Sequence, residues 1–207
     1  MISRKYNFVF QHIPKCAGIS VLNFFIDLHK QQNCIGDLMY GTHIPFSIYK
    51  KDQSEYYERS FKFTFVRNPW DRVVSLFEFR KIQAQKGVSW PHWPETQEIL
   101  NDSFEETLKK SKNKTGSKVY LEEGCASNYW LSSKILREIN FIGRFERMNQ
   151  DFEFIKQVLG IDSFPQLPHD NKIERKHYSE YYNDETRKIV ADTYAKDIQL
   201  FGYKFED

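Results

Sequence analysis

The chain repeats one local pattern, in which an apolar run typical of a strand passes through a short loop into a helix. Residues 6–11 (Y-N-F-V-F-Q) and 61–66 (F-K-F-T-F-V) are rich in aromatic and β-branched side chains, which favour strands. Each run is followed by apolar residues at helical spacing, over 19–30 and over about 69–83. This alternation predicts an α/β fold with a parallel sheet flanked by helices, whose ligands bind beyond the carboxyl ends of the strands.

Local signals mark the ends of the predicted helices. Asn68 is a good N-cap and Pro69 suits the first helical position. A third unit joins a strand at 139–143 to a helix at about 149–159 that Gly160 closes. The last helix is predicted over about 184–201 and stops at Gly202.

Two segments break the alternation, and neither resembles a linker between domains. Residues 84–130 are interpreted as an acceptor-side insertion and residues 162–183, with their prolines and charges, as a lid. With 207 residues and no internal repeat, the chain is expected to form a single domain over 1–207.

Composition excludes several classes of protein. The formal net charge of +2 is too small to indicate nucleic-acid binding, and the basic run at 109–118 is more typical of a solvated loop. No apolar stretch is long enough for a signal peptide or a membrane span. Three cysteines without C-x-x-C spacing argue against a disulfide framework and against a zinc site, so we expect reduced thiols and a cytoplasmic protein. Oligomeric state cannot be derived from the sequence.

The first strand-to-helix loop has the composition of an anion site. Residues 12–20 read H-I-P-K-C-A-G-I-S, so Lys15, small residues and the Ser20 hydroxyl stand at a helix N-terminus. Backbone N–H groups and the helix dipole favour an anion there. The P-loop motif G-x-x-x-x-G-K-[ST] cannot be placed on this loop. The alternative is a tight turn that leaves Lys15 in solvent.

The second junction pairs an arginine with a helical serine. Arg67 ends the strand, and Ser75 lies about two turns into the next helix among apolar neighbours. A phosphate held by a guanidinium and a hydroxyl would satisfy both groups. The alternatives are a bond from Ser75 back to the Asp71 carbonyl and an ion pair between Arg67 and Asp71.

In these two motifs the chain resembles the sulfotransferases that use 3′-phosphoadenosine-5′-phosphosulfate (PAPS), and within them the carbohydrate-type sulfotransferase family 2. Residues 12–20 are similar to the family's 5′-phosphosulfate loop, and F-V-R-N-P-W-D-R-V-V-S at 65–75 is similar to its 3′-phosphate motif. Residues 142–146 and 201–205 also resemble the family, whereas 84–130 matches least. The resemblance implies a P-loop NTPase-like sulfotransferase fold.

The resemblance also implies roles for individual residues. Lys15 would hold the 5′-phosphosulfate and stabilise the leaving oxygen, while Arg67 and Ser75 would bind the 3′-phosphate. Phe145 matches an adenine-contacting aromatic, and Arg175 is a weaker candidate for a phosphate contact. The other residues expected to bind the donor phosphate belong to the first loop: Cys16, Ala17, Gly18, Ile19 and Ser20. The family uses no metal, and the sequence has no cluster that would bind one.

His43 is the predicted general base. It lies in G-T-H-I-P at 41–45, similar to the segment that carries the base in cytosolic sulfotransferases, although Gly41 stands where those relatives have lysine. Histidine can accept a proton near neutral pH. The alternatives are a structural role for His43, His12 as the base, or a carboxylate at Glu78 or Glu146.

The predicted reaction is in-line transfer of the sulfuryl group from PAPS to an acceptor hydroxyl or amine, releasing 3′-phosphoadenosine-5′-phosphate (PAP). The acceptor would be a small molecule or glycan, held against Trp90, His92 and Trp93 and the lysines of 109–118. One alternative is a P-loop-like nucleotide kinase, which would depend on magnesium. Another is a non-catalytic module that binds nucleotide or glycan on the same fold and needs no base.

Overall fold

Three strands with one direction form one side of the sheet in the computed structural model, which describes residues 1–41, 43–88, 98–112, 130–161, 167 and 173–206. Strands β2 (Phe8–Gln11), β4 (Phe61–Val66) and β5 (Phe141–Arg144) pair in parallel, with β4 in the middle. The predicted parallel arrangement is confirmed for these three strands.

Two short strands extend the sheet on the β2 side in the opposite direction. Strand β1 (Ile2–Ser3) pairs antiparallel with β2, and β3 (Leu38–Met39) pairs antiparallel with β1, giving the order β3-β1-β2-β4-β5. The sheet is therefore mixed. Neither two-residue strand was predicted, because two residues are too few to show a periodicity of two.

Helices follow the strands at the predicted junctions. Helix α4 begins at Pro69, and the Asn68 side chain accepts hydrogen bonds from the N–H groups of Trp70 and Asp71, as expected of an N-cap. The helices within the described ranges are α1 (Gly18–Gln31), α2 (Phe46–Asp52), α3 (Ser54–Arg59), α4 (Pro69–Gln85), α5 (Phe104–Lys112), α6 (Ser133–Leu136), α7 (Met148–Val158), α8 (Asp184–Thr193) and α9 (Ala195–Phe201).

The chain divides into two compact units. The first comprises Met1–Arg67 and Trp130–Lys172 and contains the sheet. Aromatic rings fill its core: Phe8 lies 4.4 Å from Phe25 and 5.5 Å from Phe63 between ring centroids, and Phe24 meets Phe152 of α7 at 4.8 Å. Helices α1 and α7 therefore pack together on one face of the sheet.

The second unit comprises Asn68–Tyr129 and Ile173–Asp207 and is helical in its described part. Phe104 of α5 contacts Phe77 of α4, with ring centroids 5.3 Å apart. The single helix predicted over 184–201 is wrong in one respect, since α8 and α9 are separate helices that meet at Tyr194. Tyr194 is buried and leaves the helical region with φ of −101°, while its hydroxyl accepts a hydrogen bond from Arg72 at 3.0 Å.

In the part of the chain that is described, no helix combines the length and the apolar character needed to cross a bilayer. The predicted acceptor-side insertion and lid are described only in part, because 89–97, 113–129, 162–166 and 168–172 lie outside the described residues.

Candidate functional site

The loop between β2 and α1 turns sharply so that it can present its backbone. Lys15 and Ala17 adopt left-handed backbone conformations, with φ of 65° and 60°. The Val21 N–H donates to the Ala17 carbonyl at 3.2 Å and so makes the first bond of α1. The preceding amides of Gly18, Ile19 and Ser20 therefore have no partner within the helix. This arrangement is suited to binding an anion.

Position 18 has no room for a side chain because the His12 ring occupies the space, and the backbone angles of Gly18 do not themselves require glycine. A Cβ added at Gly18 would lie 1.9 Å from Cδ2 of His12, which is far inside van der Waals contact. The His12 ring therefore lies directly against the first residue of α1. Cys16 is buried in the same turn, where its N–H donates to the Ile13 carbonyl at 3.3 Å.

Arg67 connects the loop to the third parallel strand. Its guanidinium donates to the Lys15 carbonyl oxygen at 3.0 Å and lies 3.7 Å above the ring centroid of Phe145. Phe145 follows β5 directly, and Arg67 follows β4. Because β2, β4 and β5 are parallel, their carboxyl ends bring Lys15, Arg67 and Phe145 to one edge of the sheet. The structure thus brings together three residues that the sequence assigned to the donor site.

His43 lies beside the same loop. Its Nδ1 is 3.3 Å from the His12 carbonyl oxygen, and its ring centroid is 4.3 Å from that of His12 and 6.3 Å from the aromatic system of Trp130. A carbonyl oxygen can only accept, so Nδ1 donates in this contact, and Nε2 is the acceptor nitrogen of the neutral imidazole. His43 is exposed and has a left-handed backbone with φ of 59°. An exposed imidazole with Nε2 as its acceptor atom can remove a proton.

His12, the alternative base, is in a different environment. Burial lowers the pKa of its imidazole to about 3, with smaller contributions from His43 and Lys15. Only 5% of the residue is exposed. A group this weakly basic stays neutral at physiological pH, so the structure favours His43 over His12 as a proton acceptor.

Gln11 is a polar residue of this region that the sequence did not single out. It is fully buried at the end of β2, and its side-chain oxygen accepts from the Phe46 N–H at 2.8 Å. Its side-chain nitrogen donates to the Trp130 carbonyl at 3.2 Å. The available signal was a glutamine that ends the otherwise apolar run F-V-F-Q.

Ser75 and Arg175 belong to the helical unit. Ser75 is buried in α4, and no hydrogen bond joins its hydroxyl to the Asp71 carbonyl within the described ranges. Arg175 forms an ion pair with Asp71, the partner that the sequence offered as an alternative for Arg67. The predicted phosphate role of Arg175 is untested by this contact.

A cavity of about 370 Å³ opens beside Arg175 in the helical unit. Its lining is mostly charged and consists of Glu78, Glu174, Arg175, Lys176, Glu180 and Tyr181. Burial and a hydrogen bond with Glu78 raise the pKa of the Tyr181 hydroxyl to about 12, so this hydroxyl keeps its proton. Glu78 is thus engaged with a neutral phenol, whereas Glu146 is exposed after β5.

No group of three or more His, Cys, Asp or Glu side chains within the described ranges is arranged to hold a metal ion. Trp90, His92, Trp93, Lys114 and Lys118 lie outside the described residues.

Comparisons with known proteins concern the family and the fold of the chain. The profile of a family described as "Sulfotransferase family" matches residues 1–204. A crystal structure of the mouse sulfotransferase SULT7A1 complexed with PAP superposes with a TM-score of 0.53 and 13% sequence identity, over 96% of this chain and 86% of that chain. At this identity the likeness concerns the fold. A comparison with curated protein sequences finds no match.

Proposed function

This chain belongs to the sulfotransferase family and is an enzyme, and we propose that it moves the sulfuryl group of PAPS to an acceptor hydroxyl or amine. The observation that carries the proposal is the convergence of Lys15, Arg67 and Phe145 at the carboxyl edge of β2, β4 and β5, beside the amides that begin α1. The N–H groups at the start of a helix suit a phosphosulfate, and a guanidinium over an aromatic ring suits a phosphorylated nucleoside.

The donor would be held by two groups of residues. The Lys15 ammonium and the loop from Cys16 to Ser20 bind the 5′-phosphosulfate, and Arg67, Ser75 and Arg175 bind the 3′-phosphate, with Phe145 against the adenine. PAPS supplies the sulfuryl group and a phosphate leaving group. Negative charge grows on the leaving oxygen during transfer, so Lys15 stabilises the transition state more than the bound donor.

His43 is proposed as the general base. The acceptor oxygen forms a bond to sulfur while the bond from sulfur to the phosphate oxygen breaks, and the acceptor proton passes to Nε2 of His43. The hydrogen bond from Nδ1 to the His12 carbonyl supports this role, because it makes Nε2 the acceptor nitrogen of the neutral imidazole. The products are a sulfated acceptor and PAP.

We propose a carbohydrate-like acceptor that contacts the insertion at 84–130. Trp90 and Trp93 offer flat apolar faces for a sugar ring, while His92 and nearby lysines offer polar contacts. Replacement of both tryptophans by alanine should raise the acceptor KM and leave PAP affinity unchanged. An unchanged acceptor KM would exclude this segment as the acceptor wall.

A cytoplasmic location is also proposed, since Cys16 and Cys34 are thiols rather than members of a disulfide in the described ranges.

The kinase alternative would show phosphoryl transfer from ATP that depends on magnesium. A non-catalytic module would bind PAP without turning over PAPS.

The donor assignment is tested by measuring PAP affinity in Arg67→Ala. Loss of charge-assisted hydrogen bonds should cost about 1.5–3 kcal/mol of binding free energy, or roughly a 10- to 150-fold rise in Kd. Arg59→Ala is the matched control, because Arg59 is an exposed arginine of α3 paired with Glu55. Equal PAP affinity in both variants would show that Arg67 does not bind the donor.

A further inference from the structure

Gln11 joins three segments of the sheet-containing unit through one buried side chain. Its amide oxygen accepts from Phe46 N–H at 2.8 Å, and its amide nitrogen donates to the Trp130 carbonyl at 3.2 Å. Its own backbone carbonyl accepts from the Thr64 hydroxyl of β4 at 2.8 Å. The residue has no exposed surface. Both ends of the amide are satisfied, and the two partners fix which end is oxygen.

The hydrogen bond that the Gln11 side chain accepts from the Phe46 N–H caps the N-terminus of α2. Phe46 is the first residue of α2, and the preceding Pro45 makes no side-chain capping bond. The N–H groups of a first helical turn need partners from outside the helix. Gln11 supplies one of them from a different element, so the start of α2 is attached to the end of β2.

Both partners of the Gln11 amide flank His43. Phe46 follows His43 by three residues, and the Trp130 ring lies 6.3 Å from the His43 ring. His43 itself adopts a left-handed backbone conformation, which a non-glycine residue keeps only when its surroundings hold it there. Gln11 therefore contacts two segments that flank the His43 imidazole. The next residue along the chain, His12, provides the carbonyl that accepts the hydrogen bond from His43 Nδ1.

We propose that Gln11 is a positioning residue for the transfer reaction, which holds the His43 segment and Trp130 against the strand that leads into the donor loop. The inference rests on the proposed role of His43 as base. Gln11 reaches His43 only through the backbone of these segments, so its removal should affect proton transfer more than donor binding. Small displacements of a reacting group can lower a rate about a hundredfold.

The test compares Gln11→Met with His43→Ala and with Lys62→Met. Methionine keeps the length and apolar volume of the glutamine but removes both amide bonds. Lys62 is also buried and polar in the same sheet, but its ammonium bonds to the Ser60 carbonyl and its backbone pairs with Val9, so it serves as the matched control. Turnover of PAPS is measured with the acceptor that gives the wild-type enzyme the highest rate. The candidate acceptors are methyl glucoside, 4-nitrophenol and water.

Gln11→Met should lower kcat about a hundredfold, with PAP Kd changed less than twofold, while Lys62→Met keeps kcat within about threefold of wild type. Turnover of Gln11→Met close to wild type, together with an inactive His43→Ala, would overturn only the positioning role. An active His43→Ala would instead overturn the proposed base. If Gln11→Met does not fold, Gln11→Asn carries the test, because it keeps a polar amide at this position but is one methylene too short to reach both Phe46 and Trp130. It should lose kcat about tenfold with PAP affinity intact, and a parallel loss of PAP affinity or unchanged turnover would contradict the proposal.

Discussion

At the residue scale, the two histidines of the site are chemically distinct although their rings touch. His12 is buried with a pKa lowered to about 3, chiefly by burial, and lies between Gly18 and His43. His43 is exposed and donates from Nδ1 to the backbone of His12. A neutral His12 adds no positive charge beside His43, so a proton on the His43 imidazole would not be repelled by a second imidazolium.

His43→Ala is expected to slow the turnover of PAPS strongly, because it removes the exposed imidazole that is proposed as the general base. General-base catalysis contributes about 10²–10⁴-fold to a rate, and kcat should fall by that range. PAP affinity, measured by calorimetry, should change little. His29→Gln offers a contrast, since His29 is a buried histidine bonded to Ser3 and to the Phe25 carbonyl. A His43→Ala enzyme with normal kcat would remove His43 from the mechanism.

Gly18→Ala should damage donor binding and turnover together. The added methyl group would meet the His12 ring at 1.9 Å, so either the ring or the start of α1 must move. Truncation of that ring makes room, and His12→Ala combined with Gly18→Ala should recover part of the PAP affinity that Gly18→Ala loses.

The control for this steric argument is Gly36→Ala, because a Cβ at Gly36 meets nothing within 4 Å. It should bind PAP like wild type. If Gly18→Ala also binds PAP like wild type, the close packing of His12 against the loop is not needed for donor binding.

Sequence reasoning found residues whose chemistry is visible in a motif, such as Lys15 and Arg67. It could not find Gln11, because a buried glutamine in a strand is distinguished only by its partners, which lie 35 and 119 positions away along the chain. Likewise, the contact between Arg67 and the Lys15 carbonyl spans 52 positions and follows from strand pairing.

At the scale of elements, long periodic segments were predictable and short or bent ones were not. The strand at 61–66 and the helix starting at Pro69 agree with the structure, because a full strand period and a complete cap signal identify them. The short strands β1 and β3 have two residues each and depend on their pairing partners. The break between α8 and α9 at Tyr194 is not marked by a glycine or a proline in the sequence. The Tyr194 N–H still donates to the Val190 carbonyl, as it would in a continuous helix.

The N-cap of α4 should be a major source of stability for that helix. The Asn68 side chain is fully buried, accepts from two backbone amides and donates to the Lys204 carbonyl at 2.8 Å. Asn68→Ala removes the cap and leaves buried groups unpaired, so the free energy of unfolding in urea should fall by about 2–3 kcal/mol. Ser132→Ala, which removes the longer 3.4 Å cap of the short helix α6, should cost about 0.5 kcal/mol. Equal losses in the two variants would contradict this ranking.

At the scale of the whole molecule, the residues assigned to the donor are unequally distributed over the two units. The loop from Lys15 to Ser20, with His43, Arg67 and Phe145, belongs to the unit that contains the sheet, whereas Ser75 and Arg175 belong to the helical unit. Under the proposed function, the sheet-containing unit would supply the contacts to the 5′-phosphosulfate and the general base. The family assignment spans both units, since the matched residues run from 1 to 204.

The most direct test of the account is the transfer of radiolabelled sulfate from PAPS by wild type and Lys15→Ala. An acceptor panel should contain glycosides, amino sugars, 4-nitrophenol and a tyrosine peptide, and each assay should be run with and without magnesium. We predict that wild type labels at least one acceptor and releases one PAP per sulfate without needing magnesium. Lys15→Ala should bind PAP but lose most of its kcat, because its charge acts on the leaving oxygen. Binding of PAP without any transfer, or phosphoryl transfer from ATP that requires magnesium, would contradict the account.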